Sequence, residues 1–106
     1  MLHIPQTSLA SLCRRYGVQQ LYVFGSAVTD AFKPERSDVD VLVTLADAPP
    51  TEQGDTLLAL WESLEQLFQR RVDLLTPNSL RNPYLKAEIE RTKQFVYDAA
   101  RPEILI

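Results

Sequence analysis

The chain has 106 residues, a formal net charge of −3, 45% hydrophobic side chains and 24% charged ones. This is an ordinary balance for a water-soluble domain, enough for one core and too little for two, so residues 1–106 are expected to form a single domain. The small, interspersed charge argues against broad nucleic-acid binding, which needs clustered Lys and Arg to displace phosphate counterions.

No apolar run approaches the ~20 residues of a membrane span. The opening M-L-H-I-P-Q-T-S lacks the basic-then-apolar order of a signal peptide. Cys13 is the only cysteine, which leaves no internal disulfide and makes a cytoplasmic location the default. On an amphipathic helix, such a cysteine reads as packing rather than as a nucleophile.

In chain order, Thr7 and Ser8 offer N-caps to a helix whose inner face is Leu9, Leu12, Cys13 and Tyr16, ended by Gly17. Residues 20–24 read as a strand, with Leu21 and Val23 on one face and Tyr22 and Phe24 on the other. Gly25-Ser26 ends it. After a turn at 34–37, residues 38–45 alternate strictly: Val39, Val41, Val43 and Leu45 face one side, Asp38, Asp40, Leu42 and Thr44 the other. Residues 46–55, with Pro49-Pro50 and Gly54, read as a mobile loop.

A helical stripe follows in Leu57, Leu58, Leu60, Trp61, Leu64, Leu67 and Phe68, with Trp61 and its neighbouring leucines expected in the core. Residues 71–75 form a short strand carrying Asp73, and 77–83 a turn. Leu85, Ile89, Val96 and Phe95 supply the inner face of a last helix, with Glu88, Glu90, Arg91 and Lys93 outside. The order helix, strand, strand, helix, strand, helix predicts a small α+β domain: a mixed sheet with helices packed on one face. The apolar end Ile104-Leu105-Ile106 has no partner in this reading. The tail 102–106 is therefore expected to meet another protein or a second copy of the chain.

Strand residues i and i+2 share a face, so Asp38 and Asp40 present two carboxylates side by side. At 4 Å and an effective dielectric near 20 they would repel by roughly 4 kcal/mol, which favours a shared proton or a bound cation. Hard oxygen donors with open positions suit Mg²⁺ carrying substrate phosphates. By itself Asp-x-Asp is what an alternating strand with one wet face produces by default, and Gly-Ser by itself is a turn. Together they describe a phosphate cradle ahead of a metal pair, because a strand-end glycine lets the backbone approach a phosphate and Ser26 can donate to it. Asp73, flanked by apolar residues, reads either as a third ligand or base, or as an edge-strand aspartate facing water.

Phe24-Gly25-Ser26, Ser37-Asp38-Val39-Asp40-Val41-Leu42-Val43 and Val72-Asp73-Leu74-Leu75-Thr76-Pro77 together resemble the minimal nucleotidyltransferases of the polymerase-beta-like superfamily. The later N-P-Y-L-K-A-E-I-E is similar to that family's last helix. The resemblance implies a polymerase-beta-like nucleotidyltransferase fold, Mg²⁺ held by Asp38, Asp40 and Asp73, and a nucleoside triphosphate, ATP, bound by Gly25 and Ser26. It also implies catalysis by the three aspartates, with Asp73 assisting deprotonation of an acceptor hydroxyl that attacks the α-phosphorus.

Many members of that family are antitoxins of a HEPN-type protein and add AMP to one of its tyrosines, so a protein acceptor and a HEPN-type partner are expected. One departure stands out. Family members often carry a basic residue soon after Gly-Ser, where this chain has Ala27, Val28, Thr29 and Asp30. Lys33 and Arg36 are the available substitutes. The departure, with the apolar tail, supports the alternative of an antitoxin that acts by contact alone.

Overall fold

The computed structural model describes residues 4–25 and 38–100. Ser26, Lys33, Arg36 and the 102–106 tail, on which several expectations rest, lie outside the described residues.

Among the described residues, eight elements run in the order α1 (Gln6–Arg15), β1 (Val18–Phe24), β2 (Val39–Leu45), α2 (Pro50–Phe68), β3 (Val72–Leu75), a 3-10 turn (Pro77–Ser79), α3 (Pro83–Thr92) and β4 (Gln94–Asp98). The strands form one sheet in the order β3-β2-β1-β4. β1 is antiparallel to both β2 and β4, while β2 and β3 are parallel. A parallel pair needs a long crossover, and α2 supplies it. The α+β class and the mixed sheet are as the sequence predicts.

The sheet's two faces follow the alternation read from the sequence. Leu21, Val23, Val39, Val41 and Val43 are fully buried and pack with Leu9 and Cys13 of α1 and Leu60 and Leu64 of α2. Burial pushes the Cys13 thiol up to about 12, against a smaller opposing effect of Arg14, so the group is neutral packing. Phe24 and Leu42 project to the other face, and α3 covers them with Ile89 and Leu85. This last helix thus lies opposite α1 and α2, where a sheet with every helix on one face was expected. Two apolar residues on the supposedly wet face require that cover.

Three further differences have local causes. α1 starts at Gln6 after Pro5, so Thr7 and Ser8 sit inside its first turn, and no side chain caps it. α2 starts at Pro50, taking in most of the expected loop, with Pro at its first position and Glu52 in the first turn. A proline is tolerated there because that N–H has no helical partner, and an acidic side chain suits the positive end of the helix dipole.

The third difference is β4. Val96 lies seven residues after Ile89, a spacing that continues a helical stripe, yet the helix ends at Thr92 and 94–98 pair with β1. Phe95, expected inside, is at the surface against Tyr22, ring centroids 4.2 Å apart.

Trp61 is also not core: it is 37% exposed, and its indole N–H donates to the Val72 carbonyl at 2.8 Å. The Val72 N–H donates to Glu65 Oε2 at 2.9 Å. Side chains of α2 therefore occupy the outward backbone groups at the start of edge strand β3, which protects the edge from pairing with another chain. Among the described residues no helix is long and apolar enough to cross a membrane.

Gly54 lies exposed within α2, and a methyl group built on it meets nothing within 4 Å. Gly54→Ala should therefore raise stability by about 0.5–1 kcal/mol in urea denaturation. An unchanged or lower midpoint would mean that this turn is not helical in solution.

Candidate active site

The parallel register of β2 and β3 sets Asp40 directly beside Asp73. Antiparallel pairing with β1 sets Phe24 beside Asp40 on the other side, so that Gly25 follows at the mouth of the same strand ends. Three separate segments of sequence thus meet at one end of the sheet. An open cleft of about 430 Å³ lies over them, lined by Phe24, Gly25, Asp40, Asp73, Leu75, Leu85 and Glu88.

Asp40 is the electrostatic centre of this cleft. Its carboxyl is pushed up from 3.8 to about 6, first by burial, then by the charges of Asp73 and Asp38, by a hydrogen bond with Asp73, and by Glu88. A protonated Asp40 can donate to Asp73. Once both are ionised, the pair repels and calls for a cation.

Asp73 itself is exposed, as the edge-strand reading expects, while also touching Asp40. Asp38 precedes β2 and is exposed. Its charge reaches Asp40, but the structure builds a carboxylate pair, not a triad. Among the described residues no three His, Cys, Asp or Glu side chains are already grouped to hold a metal ion. The chemistry of the pair still fits a hard divalent cation: oxygen donors only, partly buried, held at the strand ends.

Gly25 has a φ of +70°, and a methyl group built on it would lie 2.7 Å from Asp40 Oδ2. The left-handed backbone favours glycine, and a side chain here would also have to push the Asp40 carboxylate aside. The Gly25 N–H, however, is already taken: it donates to Thr92 Oγ1 at 2.8 Å.

Glu88 and Thr92 are the residues the sequence reading missed. Glu88 was placed on the outer face of the last helix; it lines the cleft and pairs with Arg91. The signal was present, since Leu85, Glu88, Ile89 and Thr92 follow the i, i+3, i+4, i+7 spacing of one helical face.

The Asp40 shift has a pH consequence. Folded Asp40 holds its proton to about pH 6, while the unfolded residue releases it near 3.8. Between those values the native state binds more protons, so its share of stability falls as pH rises through this window. In metal-free protein, Asp40→Asn should be increasingly more stable than wild type from pH 4 to about pH 7, read from urea midpoints. A constant difference would contradict the assigned environment.

With this geometry described, the chain can be set beside known proteins. The family model for the nucleotidyltransferase domain matches residues 6–96. A relative from Methanocaldococcus jannaschii, named "Putative protein adenylyltransferase MJ0126", is 34% identical over 79 residues, covering 74% of this chain and 76% of the relative. A solved structure described as a "putative minimal nucleotidyltransferase" superposes with a TM-score of 0.59 at 30% identity, covering 84% of this chain and 86% of that one. A chain of the tri-AMPylated Shewanella oneidensis HEPN toxin in complex with MNT antitoxin superposes with a TM-score of 0.53 at 19% identity, covering 92% of this chain and 73% of that one, a likeness of fold. Strand ends that bring Gly25, Asp40 and Asp73 together belong to a matched span of 91 residues (6 to 96, inclusive) in a chain of 106, and the protein is a member of the nucleotidyltransferase domain family.

Proposed function

We propose that this nucleotidyltransferase moves AMP from ATP to a hydroxyl of a protein, and that the acceptor is a HEPN-type toxin for which it serves as antitoxin. The observation that carries the reading is the Asp40–Asp73 pair, held beside Gly25 in an open cleft. The relative's name and the AMPylated HEPN toxin in the complex of similar fold support the choice of AMP and of a protein acceptor.

In the reaction the acceptor oxygen attacks the α-phosphorus, the bond from that phosphorus to the bridging oxygen breaks, and pyrophosphate leaves with the bonding pair. Asp73, exposed at the sheet edge, would take the hydroxyl proton. Asp38, Asp40 and Asp73 would hold Mg²⁺. When bound, it neutralises triphosphate charge and stabilises the oxygens that enter and leave. Gly25, and Ser26 next in sequence, would bind the triphosphate. Leu75 and Leu85 form the apolar part of the cleft wall.

The test is transfer of label from ATP labelled at the α-phosphate to a purified HEPN-type partner in the presence of Mg²⁺. Asp40→Asn and Asp73→Asn should each reduce kcat/KM by about 10²-fold or more while the protein stays folded. Residues 27–30, Ala-Val-Thr-Asp, offer the triphosphate no cation, and this favours a second reading. Tight association with the partner and no label transfer by wild type would establish contact inhibition in place of catalysis.

A further inference from the structure

Thr92 is the one buried polar side chain among the described residues, 8% exposed, and it lies at the last turn of α3, 67 residues from its partner Gly25. Its hydroxyl has a single hydrogen, and that hydrogen goes to the Glu88 carbonyl at 2.8 Å, one helical turn back. The oxygen is therefore left with acceptor capacity only, and the Gly25 N–H fills it at 2.8 Å. Gly25 is itself buried, so losing the Thr92 oxygen would cost this N–H its partner among the described residues.

The geometry points to Thr92 as a positioning residue for nucleotide binding. It acts through Gly25: one hydroxyl fixes the plane of the peptide that enters the +70° turn, directly over the Asp40 carboxylate. The orientation of that peptide decides how Gly25 sits in the cleft wall beside Asp40. The space there is small: a methyl group built on Gly25 would lie 2.7 Å from Asp40 Oδ2. The same two bonds tie the turn to α3, whose Glu88 and Leu85 line the cleft, so one contact sets both the phosphate end and the wall.

This rests on the reading of Gly25 as the entrance to a triphosphate site. The experiment measures binding of ATP with Mg²⁺ by calorimetry for wild type, Thr92→Ser, Thr92→Val and Thr92→Ala, each checked for folding by circular dichroism. Hydrogen exchange of the Gly25 amide is followed in the same proteins.

Thr92→Val and Thr92→Ala should bind about tenfold more weakly and lose protection at Gly25, while Thr92→Ser, which keeps the hydroxyl, stays within about threefold of wild type. In transfer assays the loss should appear in KM for ATP more than in kcat, a split that lowered stability alone would not produce. Equal binding by wild type and the folded Val or Ala variant overturns the inference while leaving the triphosphate reading intact. A wild type that binds no ATP overturns both. Should Thr92→Val fail to fold, the smaller Ala side chain carries the comparison.

Discussion

Two carboxylates, Asp40 and Asp73, are held against each other by backbone pairing, and the rest of the site is arranged around that constraint. The register of two parallel strands is set by their apolar faces, because a one-residue slip would turn Val39 and Val41 out of the core. The aspartates cannot separate without breaking that register. Burial of Asp40 adds to the cost of ionising both, and its acidity shifts accordingly. A fold selected for stability alone would place apolar or singly charged residues there. Strain of this kind, maintained by the surrounding core, is typical of sites that await a ligand.

The neighbouring elements define how that pair can be approached. On one side Gly25 lies against Asp40 with a left-handed backbone that strains any side chain, and its buried amide is held by Thr92. On the other, β3 is the sheet edge, so Asp73 opens to solvent and to whatever docks there. Its backbone edge is guarded at Val72 by Trp61 and Glu65. α3 closes the cleft on the face of the sheet opposite α1 and α2. The nucleotidyltransferase family assignment follows from the matched span; the strand-end geometry explains how so short a chain can assemble the parts.

Much of this was legible in the residues. Strict alternation in 38–45 located β2 and its two faces, and Gly17 and Gly25 marked turns that do adopt positive φ. The α3 boundary was not legible, because Thr92-Lys93-Gln94 contains no glycine or proline and Val96 falls seven residues after Ile89. The run Phe95-Val96-Tyr97, aromatic and β-branched, was the competing strand signal. In α2, Pro49-Pro50 and Gly54 suggested a loop, whereas proline at the first helical position starts a helix and tertiary packing of Leu60 and Leu64 carries the glycine. The Thr92–Gly25 bond lay beyond reach, since a contact across 67 residues leaves no local pattern.

The central claim is that Asp40 and Asp73 form a crowded pair suited to a cation. Carbon-detected NMR titration of the Asp40 carboxyl, without and with Mg²⁺, tests it most directly. Metal-free protein should titrate at about 6, and saturating Mg²⁺ should move the transition down by about one unit or more, because a bound cation favours the ionised form. An Asp40 that titrates near the ordinary 3.8, or one that Mg²⁺ leaves unmoved, would contradict the account.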